Sequence, residues 1–319
     1  MLPVSEALKR KFAETNRELR LLYPEEELRK EWIREQLEEY GTFYPMEKWP
    51  ADRLTAWLDG RVMAGVDGSV NSTPGTDPHT LSVFQALAKG THGEECWEAD
   101  LYTPLLDREG TDPVEGRLAR EAKRRGTLLA GLELKVAKEA IIRWRPRVIM
   151  MDGSLLHYLI DDPQGWEELA ELALARGVLL VGISEEIGTR GLARLLFPQR
   201  ENYSDRDVLF GVLQPGEAYE SEAMQLTGTG LWKAVMCSSR SPQPVGIDGL
   251  LSQAAERENL LNLIHTMTPA QGRGIPLWLD IVDKEVRVTD PLVRAMVEQF
   301  IDPDLRHRLL VPKRSERHL

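Results

Sequence analysis

The sequence predicts an α/β fold: a mixed central sheet flanked by helices, preceded by a helical extension. Three observations point there. Two apolar runs, 61–67 and 147–152, each begin at an arginine and close in Asp-Gly-Ser. Two more strand-like segments follow the first run closely. A long helical pattern then leads directly into the second run, and a further helix and buried strand come after it.

Taken in order, residues 5–22 carry Leu8, Phe12, Leu19 and Leu22 at helical spacing among charges. Pro24 followed by Glu25, Glu26 and Glu27 suits a second helix start, with acids against the dipole, and that helix would run to Glu39 with Leu28, Trp32 and Leu37. The segment 40–50 is aromatic and proline-containing and reads as a connector. Residues 1–48 are therefore expected to form a helical extension, and 49–319 the main domain. In that domain the first strand ends at Asp67, a polar loop spans 71–78, and 80–87 and 96–102 complete an antiparallel meander. A helix over 114–144 precedes the strand 147–152. A helix over 166–175 precedes the strand 177–183. Meander, crossover helix, then parallel strands is the order of an RNase H-like core. Further strands are expected at 207–214 and 231–237, and a helix at about 250–267. An apolar segment, 275–282, ends at Asp283, a final helix spans 290–300, and the basic end, 312–319, should be frayed.

With 319 residues and a net charge of −11, the chain is long enough for a large α/β domain, and its acidity counts against generic coating of nucleic acid. Bases are nevertheless clustered at Arg117, Arg120, Lys123, Arg124 and Arg125, at Arg143, Arg145 and Arg147, and along 306–317. Such clusters can make a positive surface on an acidic protein. Cys96 and Cys237 are the only cysteines, which excludes a zinc ribbon and argues against a disulfide scaffold. No run approaches the roughly 20 apolar residues of a membrane span, and the N-terminus lacks the apolar core of a secretory signal. A cytoplasmic protein is expected.

The chemistry centres on the repeated Asp-Gly-Ser. In each copy the Asp falls where its strand is expected to leave the sheet, the edge at which α/β folds bind ligands. One Asp-Gly is a common turn; two in matching context could face one pocket, where their repulsion calls for a cation. Oxygen ligands suit magnesium, and manganese also tolerates a histidine. The long helix offers Glu115, Glu121, Glu133 and Glu139. Glu121 and Glu139 have basic neighbours at helical spacing and read as surface pairs. Glu133 has Leu129, Val136 and Ala137 around it, so its charge needs compensation. A fourth ligand could be Asp280, Asp283 or His265. Ser69 and Ser154 read as turn formers or hydrogen-bond donors to the site, with the turn role ahead.

These segments resemble the NurA nuclease family over about residues 60–290. The resemblance rests on GVDGS at 65–69, LELKVAKEA at 132–140, MMDGSLL at 150–156, LLVGIS at 179–184, and GIP at 274–276 with an acid following. It implies an RNase H-like, manganese-dependent deoxyribonuclease (magnesium as the alternative cation) that processes DNA ends in double-strand break repair. It also implies a homodimer that works with a HerA-type hexameric ATPase. The metal ligands carried over are Asp67, Glu133, Asp152 and Asp283. Two cations about 3.5–4 Å apart would clamp the attacking water and the leaving oxygen. Basic residues would hold phosphates, and Trp or Tyr could stack on a single-stranded end. The chain departs from the family at Glu185-Glu186, where relatives often carry a Lys, and at Asp283, where many carry a His.

Two other classes share the pattern. A non-catalytic RNase H-like adaptor of a motor ATPase would keep the fold and change the motor's rate without cutting DNA. An ATP- or sugar-kinase-like phosphotransferase would need Gly-rich adenosine segments, for which Thr227-Gly228-Thr229-Gly230 is the weak match; a melting shift with ATP would mark it.

Overall fold

The computed structural model describes residues 4–76, 78–106 and 114–310, without the side chains of 114–119. Two helices, α1 (Glu6–Leu22) and α2 (Lys30–Tyr40), lead into strand β1 (Gly41–Pro45) and helix α3 (Ala51–Leu58). Three strands follow: β2 (Met63–Ser72), β3 (Ser82–Gly90) and β4 (Glu95–Tyr102). Then come α4 (Val114–Trp144), β5 (Val148–Asp152), α5 (Leu155–Asp161), α6 (Pro163–Arg176) and β6 (Leu179–Ser184). Short helices α7 (Gly191–Leu196) and α8 (Asp205–Leu209) precede β7 (Glu217–Ser221), β8 (Leu231–Cys237) and β9 (Val245–Leu250). The described chain closes with α9 (Arg257–Met267), α10 (Leu277–Val286), α11 (Asp290–Phe300) and α12 (Pro303–Leu309).

The strands among the described residues form one sheet, ordered β1-β7-β8-β9-β6-β5-β2-β3-β4. Its β4-β3-β2-β5-β6 half is the RNase H-like core: an antiparallel meander joined to two strands parallel to its first member. The crossover is α4, as a parallel connection requires. On one sheet face α4 and α6 bury Ala137, Ile141 and Leu169 against Val66, Ile149 and Met151. On the other, α9 and α10 bury Leu261 and Leu279 against Met63, Met150 and Val181. β5 is covered on both sides, which is why it is apolar at every position before Asp152.

The arginine that opens the first run has a structural task. Arg61 donates to the carbonyls of Arg145 (3.0 Å), Pro146 (2.5 Å) and Gly177 (2.8 Å), tying the entries of β2, β5 and β6 together. Arg147 pairs with Glu256 at 3.3 Å and lies over Trp57. Hydrogen bonds from a charged donor contribute roughly 1.5–3 kcal/mol each when desolvated. Arg61→Ala is therefore expected to lower unfolding free energy by about 2 kcal/mol in a urea titration.

Several expectations are corrected. The aromatic connector is in part the edge strand β1, paired antiparallel with β7. The second helix begins at Lys30 rather than Pro24, after a turn. It packs Ile33 and Leu37 beside Tyr203 and Tyr219, whereas α1 buries none of its residues. The strand expected at 207–214 is α8 and a turn. Ser204 and Asp207 form a capping box that starts a helix there, and Val208, Leu209, Val212 and Leu213 are buried without pairing in the sheet. Strand β2 does not stop at Asp67 but runs to Ser72. Strands β7 and β9 and helices α3, α5, α7 and α12 were not anticipated. The basic end 312–319 lies outside the described residues. Cys96 and Cys237 are buried and unpaired. Among the described residues no helix is long and apolar enough to cross a membrane.

Candidate active site

The two Asp-Gly-Ser aspartates are brought together by strand register. In the parallel pair β2 and β5, Val66 lies opposite Met151, so Asp67 and Asp152 occupy the next rung. Adjacent strands are about 4.8 Å apart. Asp152 ends β5. Asp67 stands where β2 leaves β5, while its antiparallel pairing to β3 continues to Ser72. Side chains alternate along a strand. Ala64 and Val66 pack toward α4, so Gly65 and Asp67 face α10. A Cβ at Gly65 would lie 3.0–3.3 Å from Val282, Trp278 and Leu279, which shows how closely α10 covers this face.

Glu133 arrives from α4 on the other side. It is 5% exposed and Asp67 is 8% exposed, so the long helix does bury its one acid on the apolar stripe. Gly68 makes that approach possible: a Cβ there would lie 2.3 Å from Glu133 Oε1. Gly68→Ala is expected to push the carboxylate aside, with the nuclease activity that the resemblance implies falling about 100-fold for a misplacement near 1 Å and the melting temperature little changed.

The electrostatics follow from this crowding. Burial, then the charges of Asp152 and Glu133, push the Asp67 carboxyl up to about 8, although it accepts a hydrogen bond from the Gly68 amide at 2.7 Å. Burial and Glu185 push Asp152 up to about 6, opposed by Arg273. Asp283, on the facing turn of α10, acts on both aspartates. Asp67, Asp152 and Asp283 thus act on one another electrostatically, and Glu133 reaches Asp67 and Asp152 from the α4 side. They do not form a closed cage: among the described residues no three His, Cys, Asp or Glu side chains converge tightly enough to hold one ion. Asp283 is bonded to Arg287 at 2.5 Å and lies 4.0 Å from Arg273. The donor set suits a hard divalent cation in charge and atom type.

Of the other fourth-ligand candidates, Asp280 stays near Asp283 and shares Arg273 with it, whereas His265 is placed elsewhere. Asp280 is held by Arg273 at 2.7 Å. His265 is buried on α9 beside Gly216, where burial and Lys48 hold its pKa down. Glu185 pairs with Arg273 at 2.5 Å, and Glu186 with Arg206.

Sequence reasoning missed a supporting layer. Ser154 caps α5, accepting from the Leu156 amide, and its hydroxyl donates to Asp248 on β9. Asp248 is fully buried, also accepts from the Leu155 amide at 2.8 Å, and faces the buried Lys233 ammonium at 4.0 Å. Burial raises its pKa against the pull of Lys233. Ser69 is not in a turn: it lies on β2 and accepts from the Val288 amide at 2.9 Å, pinning the segment after α10. On α5, the His157 ring bonds the Ser154 carbonyl at 2.7 Å and stands 3.8 Å from Glu133. Burial lowers the His157 pKa, but Glu133 and the Ser154 carbonyl outweigh it and the net change is upward. Tyr158, fully buried, lies near Glu133 without completing a hydrogen bond of good geometry. The available signal was spacing: His157 and Tyr158 follow the cap Ser154 by three and four residues, one helical turn.

No curated protein matches the chain. Among solved structures, the catalytic domain of human Endonuclease V is 16% identical, with 80% of this chain and 93% of that chain covered and a TM-score of 0.37. Kluyveromyces polysporus Argonaute with a guide RNA is 11% identical over 74% of this chain and 29% of its own, with a TM-score of 0.35. Thermus thermophilus RuvC is 16% identical over 46% and 74%, with a TM-score of 0.15. The NurA domain matches residues 61–288, which is most of the chain and includes both Asp-Gly-Ser strands, Glu133 and Asp283. The chain belongs to the NurA domain family.

Proposed function

We propose that this protein is a metal-dependent nuclease that hydrolyses phosphodiester bonds of DNA at ends. The observation that carries the reading is the pair Asp67 and Asp152 on one rung of β2 and β5, with Glu133 and Asp283 close enough to raise the affinity of Asp67 for a proton. A site that holds protons so strongly in carboxylates gains most from a divalent cation. Asp67, Glu133, Asp152 and Asp283 would hold manganese or magnesium, as one or two ions. The chemistry supplied there is charge neutralisation and polarisation of a phosphoryl oxygen.

The protein's own residues do the rest. Asp248, through Ser154 and the Leu155 amide, fixes the start of α5 beside Asp152. His157 and Tyr158 border Glu133 and restrict its movement. Arg125 reaches Ser72 two turns along α4 from Glu133, about 12 Å away, and could receive backbone phosphates without reading sequence. The exposed Leu8, Phe12 and Leu19 on α1 are available to a second subunit or to a HerA-type hexameric ATPase, the partners that go with this reading. Double-strand break repair is the corresponding setting.

The test is linear end-labelled DNA incubated with and without manganese, beside Asp152→Ala. Manganese-dependent degradation, lost at least about 1000-fold in the variant, is expected. The arginine grip on Asp283 favours a second reading, a non-catalytic adaptor of a motor ATPase. Wild type and variant equally inert, yet both altering the motor's ATPase rate, would establish that reading instead.

A further inference from the structure

One cation is placed among these acids by a segment that none of the roles above uses. Arg273 lies in the turn between α9 and α10, flanked by Gly272 and Gly274, the latter at φ +102 in the left-handed region that favours glycine. Its guanidinium joins two elements: Glu185, just past the end of β6, at 2.5 Å, and Asp280 on α10, at 2.7 Å. It also acts electrostatically on Asp152. Arg287, just past the end of α10, pairs at 2.5 Å with Asp283, one turn back on that helix. Arg273 thus bridges the end of β6 and α10 beside Asp152, and its side chain is 45% exposed.

A pocket of carboxylates repels a phosphodiester, so DNA entry needs a donor that can face a phosphate oxygen. A guanidinium presents its N–H groups in a planar fork suited to phosphate as well as to carboxylate. The geometry points to Arg273 as a DNA-contacting residue held in reserve by Glu185: on DNA entry it exchanges the Glu185 carboxylate for a non-bridging phosphate oxygen beside Asp152. Because its ion pairs are partly open to water, the exchange costs little. Glu185 then sets the strength of DNA binding by competing for the same fork. This rests on the reading of the pocket as one that receives DNA.

The experiment is equilibrium binding of a fluorescent DNA duplex, with calcium in place of manganese, over a salt series. It compares wild type, Arg273→Ala, Arg273→Lys, Glu185→Gln and the Glu185→Gln/Arg273→Ala double variant, with melting temperatures as the folding control. Arg273→Ala should weaken binding about ten-fold and reduce the salt slope by about 1, while Arg273→Lys keeps the slope. Glu185→Gln should tighten binding about three-fold, and that gain should vanish in the double variant. Tightening that persists without Arg273, or wild-type affinity and slope in a folded Arg273→Ala, overturns the inference alone. Wild-type protein that binds no DNA overturns it together with the nuclease reading.

Discussion

Asp67→Asn should abolish DNA cleavage and, at pH 8 without metal, raise the melting temperature. The carboxyl of Asp67 is held at about 8 in the fold, against an ordinary 3.8. A carboxyl whose folded pKa is raised does not destabilise the protein below pH 3.8. Its penalty grows as pH rises through the window between 3.8 and 8, and is complete above it. Asp152 adds a smaller penalty, complete above about 6. Because the neighbouring carboxylates share the repulsion, the gain from removing one charge is on the order of 1–3 kcal/mol. Asn keeps the shape and removes the charge. Melting in EDTA between pH 5 and 8.5 should therefore show wild type losing stability with rising pH and the variant losing less. Manganese should recover wild type, by about 2.7 kcal/mol at a hundred times its dissociation constant, and should leave the variant nearly unmoved. Cleavage in the variant should fall by at least about 1000-fold, since its ability to neutralise developing charge is gone. A variant that melts lower than wild type at pH 8 in EDTA would mean that the Asp67 carboxylate is already compensated by other groups.

The second large effect belongs to Asp248. Ala at this position removes the acceptor for Ser154 and the Leu155 amide, and leaves the buried Lys233 ammonium facing no carboxylate. Breaking a buried pair by removing one partner costs about 3–5 kcal/mol. At roughly 2–4 °C per kcal/mol, the melting temperature should drop by about 10 °C. A companion change, Lys233→Met with Asp248→Leu, replaces both charges by apolar groups and should recover much of that loss. It should not restore cleavage, because α5 would still lack its tether beside Asp152. Thermal melts and cleavage measured together separate the two roles: stability returning with full activity would reduce the pair to packing.

What was legible in the sequence was set by pattern. β2, β5 and β6 each carry an apolar run, and α4 is long and periodic, so the RNase H-like half and the Asp67–Asp152 pair could be read directly. Glu133 stood out because its helical neighbours are apolar, and it is indeed buried. β9 was hidden: it carries Gly246, Gly249 and the fully buried Asp248, so its composition imitates a turn. β7 is short and contains Glu217 and Glu220, which mask it as a loop. The strand mistakenly expected at 207–214 shows the converse, an apolar run buried by its own local cluster. Arg273 and Glu185 lie far apart in the chain, and no single segment signals that they will meet.

The tight cover of α10 over Gly65 also bears on how the protein is made. Asp67 is synthesised well before α10, which carries Asp283 and covers the same sheet face at Gly65. Synthesis at about 5–20 residues per second leaves an interval in which a nascent RNase H-like half exists without its last carboxylate or its roof. The cover over this face of β2 is therefore completed by a helix that lies far later in the sequence than the strand it shields.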